Sequence, residues 1–151
     1  MIKIQKSKTA DTRSCDYANV TREQLYDSTV QHIGDVKAGL DFFSQMMSDA
    51  ANRHDYDKKT NLRQFHADFV TGFVQQSWYQ NHIKVNRHHL AALGGVPEGV
   101  NLIDVMEMIC DCVMAGMGRT GTVTPIKIDA DILEEAVNNT VELLKSQIVV
   151  E

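Results

Sequence analysis

The segment Asn52-Arg-His54-Asp55-Tyr-Asp57-Lys58 sets an imidazole and a carboxylate on adjacent residues, with a lysine three positions further on. Neighbours on a helix point about 100° apart, so the pair does not suit two ligands on one helical face. It suits a helix end. There the chain can turn both groups onto one cation, His offering a nitrogen and Asp a hard oxygen. Such dipeptides also occur by chance as solvated surface residues, so the weight of this one comes from its company: His32, His82, the doublet His88-His89, and Asp111.

The periodicity says which elements must position these groups. Thr21-x-x-Gln24 has the form of a capping box. A helix follows it, with Leu25, Tyr26, Val30, Ile33, Val36, Leu40, Phe43, Met46, Met47 and Ala50 as a buried stripe to about Arg53, and His32 beside the stripe. Residues 61 to 74 repeat the pattern with Leu62, Phe65, Phe69, Val70 and Phe73, capped by Asn61 or Thr60. Ser77-x-x-Gln80 predicts a second capping box and a helix to Leu90, which puts His82 and His89 on one face. Gly94-Gly-Val-Pro97-Glu-Gly99 is a loop. A strongly apolar helix then runs from Asn101 to near Gly116 and Gly118, followed by a turn at Gly118-Arg119-Thr120-Gly121 and an extended piece from Val123 to Ile128. Asp129 or Asp131 caps the last helix. Residues 1 to 20 read as a polar tail and 21 to 151 as one domain, all-α, of about five helices.

The chain has 151 residues, 43% hydrophobic and 23% charged, enough for one domain with a core. Its net charge of −5 lacks the Lys and Arg excess that drives binding to long nucleic acid. Cys15, Cys110 and Cys112 form no C-x-x-C; the last two read as small core residues. The N-terminus carries Lys3, Lys6 and Lys8 but no apolar segment behind them, and no run approaches a membrane span, so a cytoplasmic location is expected.

In order, His32, His54-Asp55 with Lys58 behind them, His82, His88-His89 and Asp111 in Glu107-Met-Ile-Cys-Asp111 resemble the HD-domain superfamily of metal-dependent phosphohydrolases. The run His54-Asp-Tyr-Asp-Lys58, Phe65, Trp78-x-x-x-His82, Asn86-x-His88-His89 and Glu107-Met-x-x-Asp111 is similar to an uncharacterised family of small HD-like proteins of bacteriophages and bacteria. The likeness covers about residues 25 to 118. It implies a helical core holding one or two divalent transition metals (Mn, Fe, Co, Ni or Zn). His54 and Asp55 would be shared, Asp55 bridging; His32 and Asp111 would complete one metal, and His82, His88 and His89 the other. A metal-bound hydroxide would be the nucleophile on a phosphate ester, a nucleotide or a cyclic or oligonucleotide signal. Lys58 would sit by the phosphoryl oxygens, with Arg87 and Arg119 as further candidates for a phosphate clamp.

On the fourth long helix Asp104, Glu107 and Asp111 align by a 3-then-4 step. Asp104 suits the first turn through the macrodipole, or a place behind the ligands; Glu107 suits acceptance of a hydrogen bond from a ligating imidazole. Asp111, deep in an apolar run, is costly to bury unpaired and is the expected ligand. Blander readings stand beside these: His32 and His66 as histidines bonded to backbone, His82 packed on Trp78, His88-His89 as a surface pair, Lys58 as a helix-dipole partner. The function expected is phosphohydrolysis in the cytoplasm, of the host if phage-encoded. The alternative is a module that keeps the fold to sequester a nucleotide or contact a host protein. The ends of two long helices would also suit a homodimer.

Overall fold

The computed structural model describes residues 1–6 and 17–151; Cys15 and half of the expected tail lie outside the described residues. Those residues form strand β1 (Ile2–Ile4), helices α1 (Arg22–Arg53), α2 (Tyr56–Thr60), α3 (Leu62–Phe69), α4 (Ser77–Val85), α5 (Leu102–Thr120) and α6 (Ala130–Ser146), and strand β2 (Ile148–Val150). The chain is all-α in class, with the two short strands as its only sheet among the described residues. None of these helices is long and apolar enough to cross a membrane. Two compact units are distinguishable, Met1–Gln45 with Glu142–Glu151, and Met46–Val141.

In the first unit, Thr21 and Gln24 close the expected capping box: each side chain accepts from the other's backbone amide, at 3.0 and 3.1 Å. The first residues, expected in a tail, instead form β1, which pairs in parallel with β2, Ile2 against Ile148 and Ile4 against Val150. Tyr26, Val30, Ile33 and Leu40, expected in a buried stripe, are exposed, Ile33 at 62%. Periodicity identifies the apolar face of a helix but says nothing of what covers it.

The second unit is built around Leu90, Val100, Val105, Met108 and Ala136, with Leu102, Ile128 and Ile132 packed against them. Asn101 caps α5, accepting from the Ile103 amide at 2.9 Å, while Asp104 reaches back to the Asn101 amide at 2.9 Å. Thr140 accepts from the Leu102 amide at 2.9 Å, and Asn139 donates to the Val100 carbonyl at 2.9 Å, so α6 is fastened to the start of α5. That start buries Ile103, Val105 and Met108. Farther along, Cys110 and Cys112 are exposed free thiols, not core residues, because the buried face of α5 is confined to its first half. The helix runs past Gly116 and Gly118 to Thr120 and ends at Gly121, whose φ of 71° only glycine adopts without strain.

The α3–α4 junction departs from the expected capping box at Ser77. Gln76 is the N-cap, in the left-handed region, and its own side chain makes no cap bond. Asp68, buried at the end of α3, accepts from the amides of Gln76 at 3.0 Å and Tyr79 at 3.1 Å. It replaces the missing cap from a distance. Asp68→Ala would leave both donors without that acceptor, and a loss of about 2–3 kcal/mol in urea unfolding is expected; an unchanged midpoint would contradict this role.

Candidate metal centre

His54 and Asp55 stand where α1 stops and α2 begins, and Asp55 turns the chain with φ 51°. A left-handed conformation at a non-glycine residue costs free energy, and Asp tolerates it better than most. The turn brings both side chains inward, as a helix-end reading requires. His82 lies in the last turn of α4, which stops at Val85; His88 and His89 follow in non-helical chain, so the expected shared helical face of His82 and His89 is not formed. The break brings them closer still. His82 Nε2 and His89 Nε2 are 2.9 Å apart.

Two groups of ligand atoms result, each within 4.8 Å: His54, Asp55 and His88, and Asp55, His82 and His89. Asp55 belongs to both. His88 Nε2 is 3.7 Å and His82 Nε2 3.5 Å from Asp55 Oδ1, while His54 Nε2 is 3.6 Å from Oδ2. His88 therefore groups with His54, not with His82 and His89 as the resemblance implied. His32 lies exposed on α1 in the first unit and belongs to neither group. Asp111 Oδ1 approaches His54 Nε2 to 3.7 Å, at the open side of the first group. Its side chain is 37% exposed, so the burial cost invoked for it does not apply, although its position fits.

The ring nitrogens facing away are held by carboxylates. Glu107 Oε1 takes His54 Nδ1 at 2.9 Å and lies 2.8 Å from His88 Nδ1, the second contact off the axis of a good hydrogen bond. Asp57 does the same for His82, Nδ1 to Oδ2 at 2.9 Å, and is itself fixed by Asn86 Nδ2 at 3.0 Å. Protons on Nδ1 leave the Nε2 lone pairs pointing into the cluster. Burial would raise the Glu107 carboxyl, but the His88 and His54 contacts outweigh it and hold it below the ordinary range. Asp55 behaves alike: burial opposes ionisation, and Lys58, with His54 and His82, overcomes it. The His89 imidazole is pushed down to about 4 by burial and by its neighbours His88 and His82. It is thus neutral at physiological pH, as a metal-binding imidazole must be.

Chemically, the donor set fits a borderline divalent metal. Asp55 Oδ1 and His88 Nε2 are buried with no hydrogen-bond partner among the described residues, which a fold tolerates where something else satisfies them. Lys58 donates to Asp55 Oδ2 from the edge of the cluster.

Other expected residues do different work. Arg87 spans Asp104 with two bonds of 2.8 Å and donates to the Gly99 carbonyl at 3.0 Å, so it pins the loop to α5 and is not free to clamp phosphate. Asp104 is spent on Arg87 and the helix cap, not on a ligating histidine. Arg119 lines a cavity of about 600 Å³ together with His88, His89 and Asp111. Cys112 shares that wall, but burial and Asp111 push its thiol up, so it is no ready nucleophile. Asp57 is not singled out by the sequence pattern, although it stands only two residues after the turn residue Asp55 in His-Asp-x-Asp. Nor does the pattern single out Gly95, where a Cβ would stand 2.1 Å from the His89 carbonyl oxygen. Gly95→Ala must displace that backbone, and about a tenfold or greater loss of metal affinity is expected in the group containing His89; isothermal titration with Mn²⁺ or Zn²⁺ measures it, and unaltered binding would contradict it.

Comparison of the chain with family models, curated proteins and solved structures finds no match.

Proposed function

We propose that this protein is a metal-dependent phosphohydrolase of HD type acting on a small phosphorylated compound, a nucleotide or an oligonucleotide signal. The observation that carries this reading is the pair of ligand groups joined at Asp55, with His54 of the first group and His82 of the second each braced from behind by a carboxylate. His54, Asp55, His88 and Asp111 would hold one divalent metal, and Asp55, His82 and His89 a second. Bound there, such ions activate water and polarise a phosphoryl oxygen.

The chain's own residues supply the rest. Asp55 ties the two groups together, and Glu107 and Asp57 fix the rings, so little reorganisation is needed when substrate arrives. Lys58, at the cluster's edge, carries a compact positive charge that suits phosphoryl oxygens. The cavity beside His88, His89 and Asp111 offers room for the remainder of the substrate.

The test is elemental analysis of protein purified without chelator, alongside turnover assays on nucleotides and cyclic nucleotides with Mn²⁺ supplied. One to two equivalents of transition metal with phosphate release is the expected result. Metal and tight ligand binding with no product would favour sequestration. No metal after Mn²⁺, Fe²⁺ or Zn²⁺ is supplied would overturn the reading. A spectroscopic signal is also expected: Trp78, the single tryptophan, stacks on His82 with ring centroids 4.7 Å apart and planes 17° apart. Co²⁺ or Ni²⁺ taken up at His82 should quench its fluorescence, because the ligating imidazole is in ring contact with the indole; unchanged emission at saturating metal would contradict binding at His82.

A further inference from the structure

We infer that the cavity beside the cluster contains a second anion site, made by Arg119 and Lys127, and that the preferred substrate therefore carries two phosphate groups about one nucleoside apart. The inference rests on the proposed hydrolytic reading for the first phosphate, and goes beyond it for the second.

One face of α5 lines the cavity from Met108 through Asp111 to Arg119. Asp111 is at the cluster end, 3.7 Å from His54 Nε2. Arg119 is two turns further on, roughly 12 Å along the helix axis at 1.5 Å per residue. Past the helix the chain reverses: Gly121 turns at φ 71°, and Thr120 and Thr122 hydroxyls bond at 2.9 Å. It then passes so close to α5 that a Cβ on Gly116 would lie 2.6 Å from the Thr122 carbonyl oxygen. This close approach carries Lys127 into the same cavity wall as Arg119.

Neither cation meets a carboxylate within ion-pair distance among the described residues, in a chain whose net charge is −5. A planar fork and a compact ammonium together match a phosphate better than a single carboxylate. Tyr79 also lines the cavity, its ring centroid 6.3 Å from that of His82, and offers a surface on which a base can stack. Helical side chains lean toward the N-terminus of their helix, so a guanidinium at Arg119 shortens the span toward the length of one nucleoside. A simple monophosphate would leave this end of the cavity unused.

The experiment compares binding of adenosine 3′,5′-bisphosphate with that of adenosine 3′- and 5′-monophosphates by calorimetry, in the presence of Mn²⁺, to wild type and Lys127→Gln. Phosphate release is followed in the same samples. The wild type is expected to prefer the bisphosphate at least about tenfold, as a charge-assisted contact allows, and Lys127→Gln to reduce that preference several-fold. Gly116→Ala, which shifts the segment without removing a charge, should reduce it in the same direction. Equal binding of mono- and bisphosphate by wild type, or a preference untouched in Lys127→Gln, would overturn the second site. Bisphosphate preference without phosphate release keeps the site and overturns hydrolysis; monophosphate release with no bisphosphate preference does the reverse.

Discussion

Asp55→Asn is expected to abolish metal retention by both ligand groups while the helical fold survives. Asp55 is common to the two groups, so its loss cannot be confined to one. Asparagine tolerates the left-handed φ of 51° at this turn and matches aspartate in shape. The fold thus loses little. The ion pair to Lys58 also goes, but Lys58 is 38% exposed, and such pairs contribute at most about 1 kcal/mol. The proposed site loses its shared anion, leaving the four imidazoles of His54, His82, His88 and His89 close together with no carboxylate between them. Removing a residue that merely braces a ligand costs 10- to 100-fold in affinity, so removing the bridging ligand itself should cost more than about a hundredfold. Elemental analysis should find less than about a tenth of the wild-type metal. In chelator, the two proteins should melt within a few degrees of one another; on adding Mn²⁺ only the wild type should rise, because a ligand stabilises by its affinity for the native state. Equal metal content in the two proteins would remove Asp55 from the centre.

The residues of this centre were legible in the sequence to different degrees, for reasons that differ. His54-Asp55 was readable as a helix end because adjacency excludes a shared helical face, and the chain does turn there. Glu107 was readable because it keeps helical register with Asp111. The resemblance groups His88 with His82 and His89, whereas the structure sets it beside His54; the break after Val85, which apolar spacing running on to Leu90 hides, redirects both histidines of the doublet. His32 joins the others only through the resemblance, since sequence order does not say which unit a residue on a 32-residue helix belongs to. Arg87 and Asp104 were assigned to substrate and site for their charge; their bidentate pairing depends on a loop whose path no local pattern encodes. The all-α class and the five longer helices follow from periodicity; the five-residue α2 is too short to show any. The short parallel pair β1–β2 joins residues almost a chain length apart, and three-residue strands carry no period of their own.

Glu107→Gln and Asp57→Asn should separate the two halves of the proposed centre. Glu107 Oε1 faces the Nδ1 atoms of both His54 and His88, the two histidines of one group. Asp57 contacts only His82 among the four clustered rings, in the other group. A neutral amide in place of either carboxylate accepts more weakly and presents N–H to one side, so the ring is free to rotate or to adopt the other tautomer. A 10- to 100-fold loss is therefore expected in one binding event per variant. Trp78 tells the events apart because it stacks on His82. In a Co²⁺ titration, Asp57→Asn should move the fluorescence midpoint to higher metal and leave the calorimetric event silent to Trp78 in place; Glu107→Gln should do the opposite. The same logic extends to catalysis: both variants lose turnover if hydrolysis needs two ions, whereas a one-ion mechanism spares the variant whose group is idle. If each substitution shifted both events equally, the two groups would behave as a single site, and Asp55 would be the ligand of one ion instead of a bridge between two.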